Sequence, residues 1–216
     1  NETGASMLVV TQSNGNSRGI WTTTSGSSYT SSFGGTSSAC PLAAGAVALM
    51  LEAKPDLSWR DVQAVLQATA RRVDPSNPEW QQNAAGIWIN ENYGFGAIDA
   101  GAAVTAAATW TLLPPEISAE TPLQLVDAEL PDADPTGVLS TVEVDADVRI
   151  ESVELRINVD TTYVGDLRIV ITAPSGTESE VSVPRGDSQD DLTDYIFTSL
   201  RHWGESSRGE WSVRVA

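Results

Sequence analysis

Gly34-Gly35-Thr36-Ser37-Ser38-Ala39-Cys40-Pro41-Leu42-Ala43-Ala44-Gly45-Ala46-Val47-Ala48-Leu49-Met50 sets two glycines ahead of a serine and a long run of small and apolar residues. The run predicts a helix from about Thr36 to Lys54, apolar all round and therefore buried, which Pro55 stops. Ser37 then sits in the first turn, beside backbone N–H groups that a helix leaves unpaired and at the positive end of its dipole. Those are the parts needed to hold a developing oxyanion next to an attacking hydroxyl. Gly-Thr-Ser ahead of a helix is also what a plain N-cap looks like. Both readings stand at this level.

Composition bounds the rest. A chain of 216 residues, 41% of them hydrophobic, holds one large domain or two small ones with real cores. Its 29 acidic residues outnumber 12 basic ones, for a net charge of −17, which argues against nucleic acid as a partner. Only one basic residue is a lysine, Lys54, and such an acidic surface suits a secreted protein. The single cysteine, Cys40, excludes an internal disulfide framework and a cysteine metal cluster. Its place in the apolar run predicts a buried small hydrophobe. No run of about 18 or more purely apolar residues suggests a membrane span. Asn1 reads as the approach to a strand, so the chain is expected to be a fragment with a further N-terminal part elsewhere.

Upstream of the helix, Met7-Leu8-Val9-Val10 and Gly19-Ile20-Trp21-Thr22-Thr23-Thr24 read as strands separated by a polar Ser/Asn/Gly turn from Gln12 to Arg18. Residues 25–36, almost all Ser, Gly and Thr, read as a loop that lines the approach to Ser37. Downstream, Asp56-Leu57-Ser58 opens a second helix. Ser58 with Asp61 gives a capping-box start, Val62, Val65, Leu66 and Thr69 share one face, and Arg71-Arg72 reads as a basic helix end. The segment from Asp74 to Asn92 is irregular. Tyr93-Gly94-Phe95-Gly96-Ala97-Ile98-Asp99-Ala100 turns into an alanine-rich third helix ending near Trp110.

Leu112-Leu113-Pro114-Pro115-Glu116 marks a domain boundary, giving domains of 1–112 and 113–216. Beyond it the period changes to two. Val153, Leu155, Ile157 and Val159 alternate with polar residues, as do Val181 and Val183, and Trp211, Val213 and Val215, while Leu167, Ile169 and Ile171 alternate with Arg168 and Val170. Pro174-Ser175-Gly176 joins two of these strands. The pattern is that of a β-sandwich or jelly roll, and no nucleophile–base pair is visible in it.

Gly35-Thr36-Ser37-Ser38-Ala39-Cys40-Pro41 followed by Leu42-Ala43-Ala44-Gly45 resembles the nucleophile segment of the subtilisin-like serine peptidases. Leu51-Glu52-Ala53-Lys54-Pro55-Asp56-Leu57-Ser58-Trp59-Arg60-Asp61-Val62-Gln63 and Tyr93 to Ala100 resemble later parts of the same catalytic domain in kexin- and furin-like members. Thr162 to Thr177, Trp203-Gly204-Glu205-Ser206 and Gly209-Glu210-Trp211-Ser212-Val213 resemble the P domain that follows it in proprotein convertases. The implied fold is the C-terminal part of an α/β subtilisin-like catalytic domain followed by an all-β jelly-roll or β-sandwich P domain lacking its last strand. Tyr29 and Phe33 stand where eukaryotic members have a cysteine and a histidine, which points to a bacterial-type relative.

The resemblance makes Ser37 the nucleophile of Ser-His-Asp acyl-enzyme chemistry on polypeptide substrates. It puts the Asp, the His and an oxyanion asparagine upstream of residue 1, so the isolated chain is expected to be inactive and to need the upstream part of its own catalytic domain as a partner. Preference for basic residues before the cut and secretion are implied in the same way. So is calcium in the whole protein, with no ligand assigned in this chain. The acidic run Asp187, Asp190, Asp191 and Asp194 reads as a solvated loop face or as oxygen ligands for calcium. His202, the single histidine, reads as a structural residue. An inert fragment or a β-sandwich binding module is the alternative.

Overall fold

A computed structural model describes residues 4–216, so the strand approach expected at Asn1 lies outside the described residues. Two compact units emerge. One comprises Leu8–Trp80 and Asn92–Pro115; the other comprises Gln81–Glu91 and Glu116–Ala216, with the segment that ends at Met7.

The first unit carries a hairpin, β1 (Ile20–Thr24) and β2 (Ser28–Phe33), and three helices, α1 (Thr36–Ala53), α2 (Trp59–Thr69) and α3 (Ala100–Ala108). Residues 28–33, expected as loop, form a strand. Gly26 (φ 71°) and Ser27 (φ 61°) take the left-handed conformation that reverses the chain, and Thr23 pairs with Tyr29 across the hairpin. The Ser/Thr composition masked a ladder held by backbone bonds rather than by an apolar face. Conversely, the strand expected over Met7–Val10 shrinks to one parallel bridge between Val10 and Ala97. Its facing segment is cut short by the start of α3. Arg71 pairs with Ala97 from the other side, so α2 stops at Thr69 and the two arginines follow it in extended chain instead of closing the helix.

Met50 of α1, Leu57, Val65 and Leu66 of the α2 region, and Ala103 and Ala107 of α3 form the core of this unit. The expectation that α1 is buried on all sides is corrected. Only Ser38, Ala46 and Met50 are buried, and Leu49 is 51% exposed. An all-round apolar helix needs neighbours all round, and within this unit α1 packs chiefly against α3. Cys40 accordingly is exposed rather than buried. By length and composition α1 would also be long enough to cross a bilayer, a test that core helices of water-soluble proteins pass as well.

The N-terminus of α2 is closed by the expected capping box. The Ser58 hydroxyl accepts from the Asp61 N–H, and Asp61 accepts from the Ser58 N–H at 2.8 Å. Asp61 also accepts from the Leu113 N–H (2.8 Å) and the Trp110 indole (3.2 Å), and Arg60 donates to the Pro114 carbonyl (2.7 Å). One buried carboxylate thus caps a helix and ties down the chain leaving α3.

In the second unit, β5 (Val138–Val144), β10 (Gly209–Val215), β7 (Ile169–Thr172) and β8 (Glu178–Ser182) form a sheet in the order β5-β10-β7-β8, and β6 (Val153–Val159) pairs with β9 (Leu192–Ser199). A short ribbon, β3 (Gln81–Gln82) with β4 (Trp88–Ile89), belongs to this unit although it lies between α2 and α3 in sequence. Leu155, Ile157 and Phe197 from the β6–β9 pair pack with Ile169, Val213 and Val215 from the four-stranded sheet. This is the expected β-sandwich, with period-two strands where one face is buried. β7 reads Ile-Val-Ile and is buried on both faces, as suits an inner strand.

Burial raises the Asp61 pKa, but hydrogen bonds from Ser58, Leu113 and Trp110 outweigh it and hold the carboxyl below its ordinary value. Its stabilisation is therefore complete above about pH 4 and is lost as the pH falls below that. Asp61→Ala removes the cap and orphans the Leu113 and Trp110 donors, for an expected loss of roughly 2–4 kcal/mol. The midpoint of urea unfolding measures it, and the wild-type advantage over the variant is expected to shrink below pH 4.

Candidate active site

Ser37 is the second residue of α1 and is exposed. It is not the cap of its helix. That position belongs to Gly35, with φ 72° and ψ −171°, and no side chain caps the helix. Backbone in this region is open essentially to glycine alone. The Ser38 N–H donates to the Gly35 carbonyl at 3.1 Å, while the N–H groups of Thr36 and Ser37 have no acceptor among the described residues. No acidic residue stands in the first turn to neutralise the positive end of the dipole. The plain N-cap reading is therefore not what the geometry gives. Ser37 presents a free hydroxyl beside free backbone donors.

Pro41 is the sixth residue of α1, within its first two turns. Lacking an N–H, it leaves the Ser37 carbonyl without its partner four residues on.

A second loop holds this turn in place. Asn14 Oδ1 accepts from the Gly35 N–H at 2.6 Å. The Ser13 hydroxyl lies 2.7 Å from the Gly35 carbonyl and 2.9 Å from Ser38 Oγ, and the Ser38 hydroxyl donates to the same carbonyl at 3.0 Å. The Thr11 hydroxyl donates to the Ala39 carbonyl at 2.8 Å. Sequence reasoning took residues 12–18 only as a polar turn and missed this role. These partners of Ser13 and Asn14 lie 21 to 25 residues along the chain, so no local signal in the run announces them.

His202 lies in the second unit and is fully buried, its Nε2 3.2 Å from the Thr177 carbonyl and its edge against the Trp211 ring. Burial lowers its pKa; nearby Glu205 and the Thr177 carbonyl raise it and Arg201 lowers it, with the net shift downward. An enclosed imidazole that meets backbone through Nε2 and packs on an indole reads as a structural residue. Around it, Glu205 accepts from the hydroxyls of Ser175 and Thr177 (both 2.6 Å) and from the Ala84 N–H (2.8 Å). Asn83 Nδ2 donates to the carbonyls of Arg201 and Trp203. This polar lattice fixes the β3–β4 ribbon on the sandwich.

The acidic run does not assemble as a cation site. Asp187 pairs with Arg185 (3.2 Å), Asp191 accepts from the Thr161 N–H (2.8 Å) and Asp194 faces Arg156 (3.5 Å). Among the described residues no three His, Cys, Asp or Glu side chains converge to hold a metal.

Comparison with known proteins follows the two units. Residues 3–96 match the Subtilase family and residues 150–216 the proprotein convertase P-domain. The chain is 35% identical to the PC3-like endoprotease variant B of Hydra vulgaris, over 86% of this chain and 27% of that protein. It is 32% identical to Protease KEX1 of Kluyveromyces lactis, over 99% and 29% respectively. It is 35% identical to human proprotein convertase subtilisin/kexin type 7, over 98% and 29%. The crystal structure of the serine protease of Aeromonas sobria superposes with a TM-score of 0.78 at 29% identity, over 88% of this chain and 38% of that one. The chain thus spans under a third of the length of these curated relatives.

Gly35→Ala is expected to lower stability by about 1–3 kcal/mol, read as a fall in the thermal midpoint, because a Cβ is strained at that φ and ψ. For His202, whose pKa is lowered on folding, stability is full above about pH 6.5 and declines as the pH falls below it. A His202→Phe variant is expected to lose that part of the pH dependence in thermal unfolding.

Proposed function

From a chain that belongs to the subtilisin-like serine peptidases of the kexin and proprotein-convertase type, P domain included, we infer that Ser37 is the nucleophile of a serine endopeptidase. The observation that carries this reading is the exposed Ser37 hydroxyl beside the unpaired N–H groups of Thr36 and Ser37 at an uncapped helix start. Ser37 Oγ attacks the scissile carbonyl, its proton passes to a base, and the oxygen that gains charge lies toward the Ser37 N–H. The new Oγ–C bond and departure of the amine give an acyl-enzyme, which water hydrolyses.

The base and its orienting carboxylate would come from residues outside this chain, since the one histidine of the sequence is enclosed in the sandwich. The open apolar side of α1, with Leu42 and Leu49 exposed, is the surface the rest of the catalytic domain would cover. The isolated chain is accordingly proposed to be inactive. Cleavage after basic residues and secretion are proposed on the family relationship, one relative being named a dibasic-processing endoprotease. The domain limits 1–112 and 113–216 are kept as the proposed division, and no calcium ligand is assigned within this chain.

The test is hydrolysis, by the full-length protein, of peptides with Arg-Arg, Lys-Arg, Phe or Ala before the cut, beside its Ser37→Ala form. The reading expects cleavage after the basic pairs only, and a fall of about a thousandfold or more in the variant with folding intact. Cleavage after Phe or Ala would move the protein to a broad-specificity peptidase. Undiminished activity in Ser37→Ala would remove Ser37 as nucleophile, and no cleavage by either folded form would favour a binding module.

A further inference from the structure

We propose that Asn14 and Ser13 are positioning residues for the Ser37 centre. They fix the Gly34-Gly35 turn so that the Thr36 and Ser37 N–H groups stay free for the oxyanion. The inference rests on Ser37 being the nucleophile. Gly35 has one N–H and one carbonyl, and both are taken from the same loop. The N–H donates to Asn14 Oδ1 (2.6 Å), and the carbonyl receives the Ser13 and Ser38 hydroxyls (2.7 and 3.0 Å). Ser38, 1% exposed, is the buried half of that contact. With its own hydrogen bonds satisfied, Gly35 cannot turn inward and consume the donors that follow it.

Gly34 reports how closely the two loops meet. A Cβ built there would lie 2.2 Å from Asn14 Oδ1, 2.3 Å from its Cγ and 2.7 Å from its Cβ. No real side chain tolerates such distances, and all three atoms belong to Asn14. The glycine before the turn is therefore required by Asn14 rather than by its own backbone angles, whereas Gly35 is required by its φ of 72°. The asparagine amide occupies the side-chain space of residue 34 and spends its acceptor on residue 35. Removing it leaves an N–H without a partner and a turn free to relax. An error of about an ångström in the donor positions is enough to weaken oxyanion binding by around a hundredfold.

The test is a double-mutant cycle in the full-length protease, with kcat and KM measured on one peptide substrate. Asn14→Ala is expected to lower kcat about ten- to hundredfold with KM within about twofold of wild type, because the lost interaction acts on the transition state. Sulfonylation by phenylmethanesulfonyl fluoride is expected to slow in parallel. Gly34→Ala is expected to reproduce the defect by displacing the asparagine, and Gly34→Ala combined with Asn14→Gly, which removes all three crowding atoms, to be no slower than Asn14→Gly alone. Wild-type kcat in Asn14→Ala, or losses that simply add in the double variant, would overturn the proposal. If Asn14→Ala fails to fold, Ser13→Ala carries the same reading through the Gly35 carbonyl, and an unchanged kcat there counts against it. Full activity in Ser37→Ala, by contrast, would sink the nucleophile assignment itself.

Discussion

Gly35 turns the chain with φ 72° and ψ −171°, and α1 begins at the next residue. A residue with a Cβ is strained there, and a residue whose side chain capped the helix would consume the donors that make the position useful. The turn therefore leaves the helix uncapped and its first N–H groups open. In an ordinary helix that is a small instability. Here it is offset from outside, by Ser13, Asn14 and Thr11 reaching across to Gly35, Ser38 and Ala39. A helix start that is locally unsatisfied but held by its neighbours is the arrangement expected where backbone donors are kept for a ligand rather than for the fold.

Much of the fold was legible because period and punctuation were strong. Val153–Val159 and Gly209–Val215 alternate and are strands with one buried face. Ser58 and Asp61 signal a capping box and form one, and Asp99 caps α3 by accepting from the Ala102 N–H. The misread elements share a cause. β2 is Ser-Tyr-Thr-Ser-Ser-Phe, whose order comes from pairing with β1, and β9 carries Asp194, so its acidic character reads as loop. Pairing partners decide such strands, and a partner is not visible in the segment itself. The burial of α1 was overestimated for a related reason: composition states what a helix would like to cover, not what lies beside it.

At the candidate site the serine proposed as nucleophile, its glycine turn and its helix are contiguous, so the local string Gly34–Ser37 was legible in the sequence. Asn14 lies 21 residues from the N–H it accepts. Its contribution depends on tertiary contact and was opaque to spacing arguments. The same holds for Asn83 and Glu205, whose partners in the sandwich lie far along the chain. They bring the β3–β4 ribbon, encoded between two catalytic-domain segments, into the second unit. Local chemistry is written locally, and long-range hydrogen bonds are written in residues that look like ordinary loop polarity.

The central claim is that Ser37 is the activated serine, and covalent labelling addresses it most directly. The full-length protein would be treated with a biotinylated fluorophosphonate, digested, and the adduct located by mass spectrometry. The account predicts one modified serine in the folded protein, Ser37, with labelling abolished by prior unfolding. An adduct on another serine, or none on Ser37 in a protein that hydrolyses peptides, would contradict it.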